Sequence, residues 1–183
     1  SVPRAHRSRR AHDDPMTEDV LTERLLLHPL SEDEAVAIVA TGTRGAGYPS
    51  AGDVEAARNL VDRCRTSGDP QPFGPYEVRL LLTGEPIGGV GFNRVPDDRG
   101  VTTIGYGLAE SARGHGYATE ALRALLHLAQ SLGVGQVRGS ADIDNPASCR
   151  VMEAAGMTLT HDDGNERFYA TTWDRRANGP LGA

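Results

Sequence analysis

Residues 106–119 concentrate the residue types and spacings most suited to chemistry: Tyr106-Gly107-Leu108, then Arg113-Gly114-His115-Gly116-Tyr117-Ala118-Thr119. They lie between a run of β-forming residues and a strongly periodic helical pattern. A loop that enters a helix presents backbone N–H groups with no intrahelical partner, at the positive end of the helix dipole. Such a loop can hold a phosphate without a lysine, and Gly114 and Gly116 let the backbone close on it. The point matters because all nineteen basic residues are Arg, which excludes a Walker-type phosphate loop.

Two other readings of this loop stand beside that one. In a dinucleotide fingerprint, Gly114 and Gly116 would be the first two glycines, but Thr119 fills the third small position and Gln136 lies where the ribose-binding acid belongs. The other is a glycine-rich connection that binds nothing.

The elements that must position the loop are legible around it. Ala118, Ala121, Leu122, Leu125, Leu126, Ala129 and Leu132 share one helical face that Gly133 ends. Upstream, Tyr76–Leu82, Pro86–Phe92 and Val101–Leu108 read as three antiparallel strands, separated by Thr83-Gly84-Glu85 and by Pro96 to Gly100. Leu25 to Leu27 read as a short strand before a helix opened by a Ser31/Glu34 capping box. A second helix runs from Asp53, taken as its N-cap, to the cluster at Gly68. Downstream, Gln136–Ala141 reads as a strand, Pro146–Ala155 as a helix, and Met157–Leu159 and Glu166–Trp173 as strands. Hairpins followed by a helical crossover predict one α+β domain, a mixed sheet of about six or seven strands flanked by about four helices. Residues 16–173 form that domain, with residues 1–15 an extension and residues 174–183 a loose tail.

Composition narrows the function. Residues 1–15 hold four Arg against two Asp, so the rest of the chain carries −8 of a net −6, which argues against a nucleic-acid partner and favours a cationic acceptor through steering. Cys64 and Cys149 are isolated, with no His at ligand spacing, so neither a disulfide framework nor a metal site is expected. No apolar run approaches the ~20 residues of a membrane span, and the expectation is a cytoplasmic chain with no membrane partner.

Taken together, Arg113, Gly116 and Ala118 resemble the pyrophosphate-binding motif of the GNAT N-acetyltransferase superfamily. The longer phrase Ile104-Gly105-Tyr106 through Ala121 resembles its Rim-type branch, as does Thr22-Glu23-Arg24-Leu25-Leu26-Leu27. Asp144-Asn145-Pro146-Ala147-Ser148, with Val151, Met152 and Gly156, resembles the next helix of that branch. The resemblance covers about residues 20–173 and implies a strongly twisted mixed sheet. It also implies acetyl-CoA as cosubstrate, a primary amine of a small molecule or a peptide N-terminus as acceptor, and a homodimer as one possible assembly.

The resemblance also distributes roles. Acetyl-CoA would sit where two parallel strands part, against the backbone of Tyr106, Gly107 and Leu108, with the Leu108 N–H polarising the thioester carbonyl. Arg113, Gly114, His115, Gly116, Tyr117, Ala118 and Thr119 would hold the diphosphate. Ser148 matches a proposed general acid and Asn145 a residue that contacts cofactor or acceptor, although a Ser or Asn at a helix start equally serves the backbone. Glu120, early in its helix, is read as a dipole-favouring cap. Tyr48-Pro49, Phe73 and Tyr76 are read as walls of the acceptor pocket. Departures from the family pattern are Thr103, where relatives carry a basic Glu, and Met152, where others carry a Tyr acid. Those departures keep a second reading open, an acyl-CoA-binding protein without turnover.

Overall fold

The computed structural model describes residues 18–173; the extension and tail expected at residues 1–15 and 174–183 fall outside them. The elements in order are β1 (Val20–Leu21), β2 (Leu25–Pro29), α1 (Glu32–Thr41), α2 (Ala51–Thr66), β3 (Pro75–Leu80), β4 (Pro86–Phe92) and β5 (Val101–Leu108). After a 3-10 turn (Glu110–Ala112) come α3 (Tyr117–Ser131), β6 (Gln136–Asp142), α4 (Pro146–Ala154), β7 (Thr158–Asp162) and β8 (Glu166–Ala170). The strands form one eight-stranded sheet in the order β1-β2-β3-β4-β5-β6-β8-β7. Every pairing is antiparallel except that of β5 with β6, as a helical crossover through α3 requires.

This is the expected α+β fold with one strand more. The extra strand, β1, is two residues long and exists through its pairing with β2, so no periodicity could announce it. The second helix also starts earlier than expected. Ser50 is its N-cap and Asp53 is the N3 partner of a capping box, the hydroxyl of Ser50 accepting from the Asp53 N–H while the carboxylate accepts from the Ser50 N–H. The last two strands shift to Thr158–Asp162 and Glu166–Ala170.

The main core lies between the sheet and α3, where Ala121, Leu122, Leu125, Leu126 and Ala129 pack among Leu25, Leu27, Val78, Val90 and Ile104, all buried. On the other side α1 and α2 enclose a smaller cluster of Leu30, Ala35, Ala57, Leu60 and Val61. Between these helices and the strands, side-chain bulk is missing along β4 and β5. A Cβ on Gly89 would stand 2.5 Å from the Asp53 carboxylate, and one on Gly91 2.7 Å from the Pro75 Cα. At Gly88 it would meet the Gly107 carbonyl oxygen at 2.2 Å and the Leu108 side chain at 2.8 Å.

Gly88→Ala is therefore expected to force β4 and β5 apart and to destabilise the fold by about 2 kcal/mol or more, as overpacking against backbone does. Urea denaturation would read this as a lowered midpoint at unchanged slope.

Candidate active site

The parallel pairing of β5 with β6 covers only Val101–Thr103 against Gln136–Arg138. Beyond it, β5 stays bonded to β4 as far as Leu108, and β6 turns away with β8. Asn93 donates to the Thr103 carbonyl and Ala109 donates to the Ile87 carbonyl, so odd-numbered residues of β5 face β4. Strand alternation then directs the N–H groups of Ile104, Tyr106 and Leu108 into the opening between β5 and β6. The Leu108 carbonyl is met by the Arg113 guanidinium at 3.1 Å.

A cavity of about 640 Å³ lies at the far end of β5 beside this opening, lined by β5, the loop, the start of α3 and one face of α4. Tyr106, Gly107, Leu108, Arg113, Gly114, Gly116, Tyr117, Ala118, Thr119, Asn145 and Ser148 all border it. Of the expected cofactor-binding residues only His115 stands outside the lining; its ring is stacked on Tyr117 with centroids 5.5 Å apart. Gly114 and Gly116 adopt φ of +77° and +80°, a conformation that a β-carbon disfavours. The loop thereby enters α3 with the N–H groups of Tyr117, Ala118 and Thr119 ahead of the first helical hydrogen bond, which Glu120 donates to the Gly116 carbonyl.

The loop is held from outside by a residue whose role the sequence did not reveal. Arg24, just before β2, donates to the His115 carbonyl at 2.9 Å, lies 4.7 Å from the centroid of the Tyr117 ring and pairs with Glu120 at 2.7 Å. Glu120 also accepts from the Thr22 hydroxyl at 2.6 Å and the Arg24 N–H at 2.8 Å. The expectation that Glu120 caps α3 is therefore corrected: from the first turn of α3 its carboxylate ties that helix to the turn before β2. Burial pushes this carboxyl up, but the hydrogen bonds from Thr22 and Arg24 and the guanidinium charge outweigh it and hold Glu120 below its ordinary value.

On α4, the Asn145 side chain accepts from the Ser148 N–H at 3.1 Å and so caps the helix while bordering the cavity. Ser148 does not spend its hydroxyl on the backbone. Its Oγ lies 2.7 Å from the Tyr106 phenol, which also donates to the Ser148 carbonyl at 3.0 Å, linking β5 to α4 across the opening. Burial raises the Tyr106 phenol above its ordinary value, with the Ser148 hydrogen bond offsetting part of the rise, so both hydroxyls carry protons at neutral pH. Thr103 accepts from the Asn93 amide and Met152 is 1% exposed in the core; neither reaches the cavity as a proton carrier.

A second cavity of about 430 Å³ lies between α2 and the glycine-lined face of β4 and β5. Of the residues read as acceptor-pocket walls, Tyr48 and Tyr76 border this cavity, whereas Pro49 and Phe73 do not; Phe73 packs edge-on to Phe92, ring centroids 5.4 Å apart. Asp53, Glu55 and Arg63 supply its charges. Tyr106 and Gly107 line both cavities, and a Cβ on Gly107 would meet nothing within 4 Å. The two spaces adjoin there. No group of His, Cys, Asp and Glu among the described residues could hold a metal, and no described helix is long and apolar enough to cross a membrane.

Parted parallel strands beside a glycine-rich helix start, and a second cavity that shares Tyr106 and Gly107 with the first, leave room for two ligands side by side. Residues 24–158 match the family described as the acetyltransferase (GNAT) domain. The uncharacterized N-acetyltransferase YjdG of Bacillus subtilis (strain 168) is 35% identical over 138 residues, 74% of this chain and 82% of that protein. An acetyltransferase crystal structure from Agrobacterium tumefaciens aligns with TM-score 0.62 at 25% identity, over 85% of this chain and 95% of the other. RimL, a ribosomal alpha-N-protein acetyltransferase solved with coenzyme A, has the same fold at TM-score 0.60 and 20% identity, over 84% of this chain and 97% of its own. This chain belongs to the GNAT acetyltransferase family and is an acetyl-CoA-dependent acyltransferase.

The tether at Glu120 makes a pH-dependent prediction. Because the folded carboxyl titrates below its unfolded value, its stabilisation is complete above pH ~4.5 and is lost as pH falls through the folded value. Thermal unfolding should show Glu120→Gln less stable than the wild type at pH 7, by about 1–2 kcal/mol, with the difference shrinking in acid.

Proposed function

We propose that the chain is an N-acetyltransferase of the Rim-type branch that moves the acetyl group of acetyl-CoA onto a primary amine, with the thioester in the opening between β5 and β6. The observation that carries this reading is the parting of the two parallel strands beside a loop with two left-handed glycines. The residues suit the cosubstrate. Unpaired N–H groups of Tyr117, Ala118 and Thr119, with Arg113, Gly114 and Gly116, match a diphosphate. The β5 edge at Tyr106 and Leu108 offers a pantetheine arm the pairing that a neighbouring strand would otherwise take.

Acetyl-CoA supplies an activated acyl group; the protein's part is to orient it and manage protons. The Leu108 N–H, turned toward the opening, polarises the carbonyl as negative charge develops on its oxygen, an interaction worth about 3–4 kcal/mol in comparable sites. Ser148, held by the Tyr106 phenol, donates a proton toward the departing sulfur. Asn145 fixes the turn that presents Ser148. The acceptor enters through the cavity under α2 and meets the acyl group over Gly107. A small amine or a peptide N-terminus fits this arrangement, and the bordering carboxylates favour a cation.

Titration calorimetry with acetyl-CoA tests the reading, and no binding at millimolar concentration would overturn it. Gly116→Val, which places a side chain at positive φ toward Arg24, is expected to weaken binding by about 10- to 100-fold, the equivalent of 1–3 kcal/mol of strain. Ser148→Ala should lower kcat for an accepted amine by about 100-fold and leave the acetyl-CoA Kd nearly unchanged. Free-thiol release would measure it.

A further inference from the structure

We propose that Asp53 is the general base of this enzyme, receiving the acceptor as a primary ammonium in the cavity under α2 and taking a proton from it beside Gly107. The proposal rests on the acyl-transfer reading above and names the base that the Thr103 position does not supply.

The geometry comes from two sides of one cavity. The capping box holds one Asp53 oxygen, Oδ2, which accepts from the Ser50 N–H at 2.8 Å and from its hydroxyl at 2.6 Å. The other oxygen, Oδ1, has no hydrogen-bond partner among the described residues, and it lies 2.5 Å from where a Gly89 β-carbon would stand. Gly89 is the register partner of Gly107, and partners in an antiparallel pair project to the same face about 5 Å apart. The free oxygen therefore shares a face of the sheet with Gly107 and lies more than 4 Å from where a β-carbon on Gly107 would stand. That is within reach of an amine directly or through one water.

The surroundings suit the task. From β3, Glu77 is the register partner of Gly89 and projects to the same face of the sheet, itself paired with Arg79. Tyr48, on the loop before α2, has its phenol raised by burial and by the Glu77 and Asp53 carboxylates, so it stays neutral. Glu55 is at the cavity margin on α2, and Arg63 borders the cavity ten residues beyond Asp53, roughly 15 Å along the helix. Burial pushes the Asp53 carboxyl above its ordinary value, with the Ser50 hydrogen bonds working against burial and Glu77 adding to it. A carboxylate raised in this way is a stronger base than a free one.

The step balances simply. Asp53 takes the first proton from the ammonium and later releases it to water. The freed lone pair forms the C–N bond to the acetyl carbon as the C–S bond breaks with its electron pair on sulfur. The second proton leaves the nitrogen and reaches the sulfur by way of Ser148.

The experiment compares wild type, Asp53→Asn and Ser50→Ala by acetyl-CoA calorimetry and by steady-state kinetics from pH 5 to 9. The acceptor probes are benzylamine, 1,4-diaminobutane and trialanine. Asparagine keeps an acceptor for the Ser50 cap, so Asp53→Asn folds. It is expected to bind acetyl-CoA within about twofold of wild type, to lose about 10²- to 10⁴-fold in kcat/KM, and to lose the acid-side fall in kcat. Ser50→Ala is expected to melt earlier yet keep that fall, which separates chemistry from capping. Asp53→Asn with wild-type kcat/KM and pH profile would overturn the proposal, as would wild-type silence toward all three amines with acetyl-CoA bound. Failure of wild type to bind acetyl-CoA would instead strike the acyl-transfer reading beneath it.

Discussion

The rest of the site depends on a short parallel ladder. Hydrogen bonds between β5 and β6 hold for Val101–Thr103 and Gln136–Arg138 and then stop. A parallel pair that continued would leave no edge for a ligand; one that never formed would leave the two halves of the sheet unjoined. Three paired residues keep the halves together and expose the far end of β5, while β4 on its other side keeps that strand straight. The N–H groups that even-numbered residues would have given to β6 then become donors for something else. The Tyr106–Ser148 contact spans the opening from β5 to α4 and limits how far it can widen.

The second constraint is the missing side chains of β4 and β5. Gly89 lets the Asp53 carboxylate of α2, and Gly91 the backbone of Pro75 on β3, lie closer than any larger residue would allow. In most strands glycine weakens packing. Here the lost contacts on the α2 side are offset by the well-filled α3 side, where the large apolar residues collect. The sheet thus has a packed face and a receptive face, and Gly107 borders both cavities.

How much of this was legible in the sequence divides along the range of the interactions. The α3 stripe from Ala121 to Ala129 and the Ser31/Glu34 box declare themselves within a few residues, because helix faces and caps are local. The box at Ser50 and Asp53 carried the same local signal, but Asp53 is itself a good cap residue and drew the boundary inward. The loop from Arg113 to Thr119 was legible as a tight glycine turn into α3 because its glycines and the adjoining helical pattern are local signals. Three features were not. The β1 strand exists through one pairing, Glu120 is claimed by Arg24 across 96 positions, and the approach of Asp53 to Gly89 depends on how α2 docks. None leaves a periodic or spaced trace, since each joins elements whose relative placement is a property of the whole fold.

The clasp formed by Thr22, Arg24 and Glu120 has a consequence for how the molecule is built. The helix and loop that border the first cavity are contiguous in sequence, yet the residues that grip them come from the turn between β1 and β2 and close circuits of 98 and 96 positions. Contacts of such long separation are the costly ones to form. Rigidity at this loop is thus imported from a segment distant in sequence. A partly assembled chain would carry the right residues in the right order without the stiffness to use them.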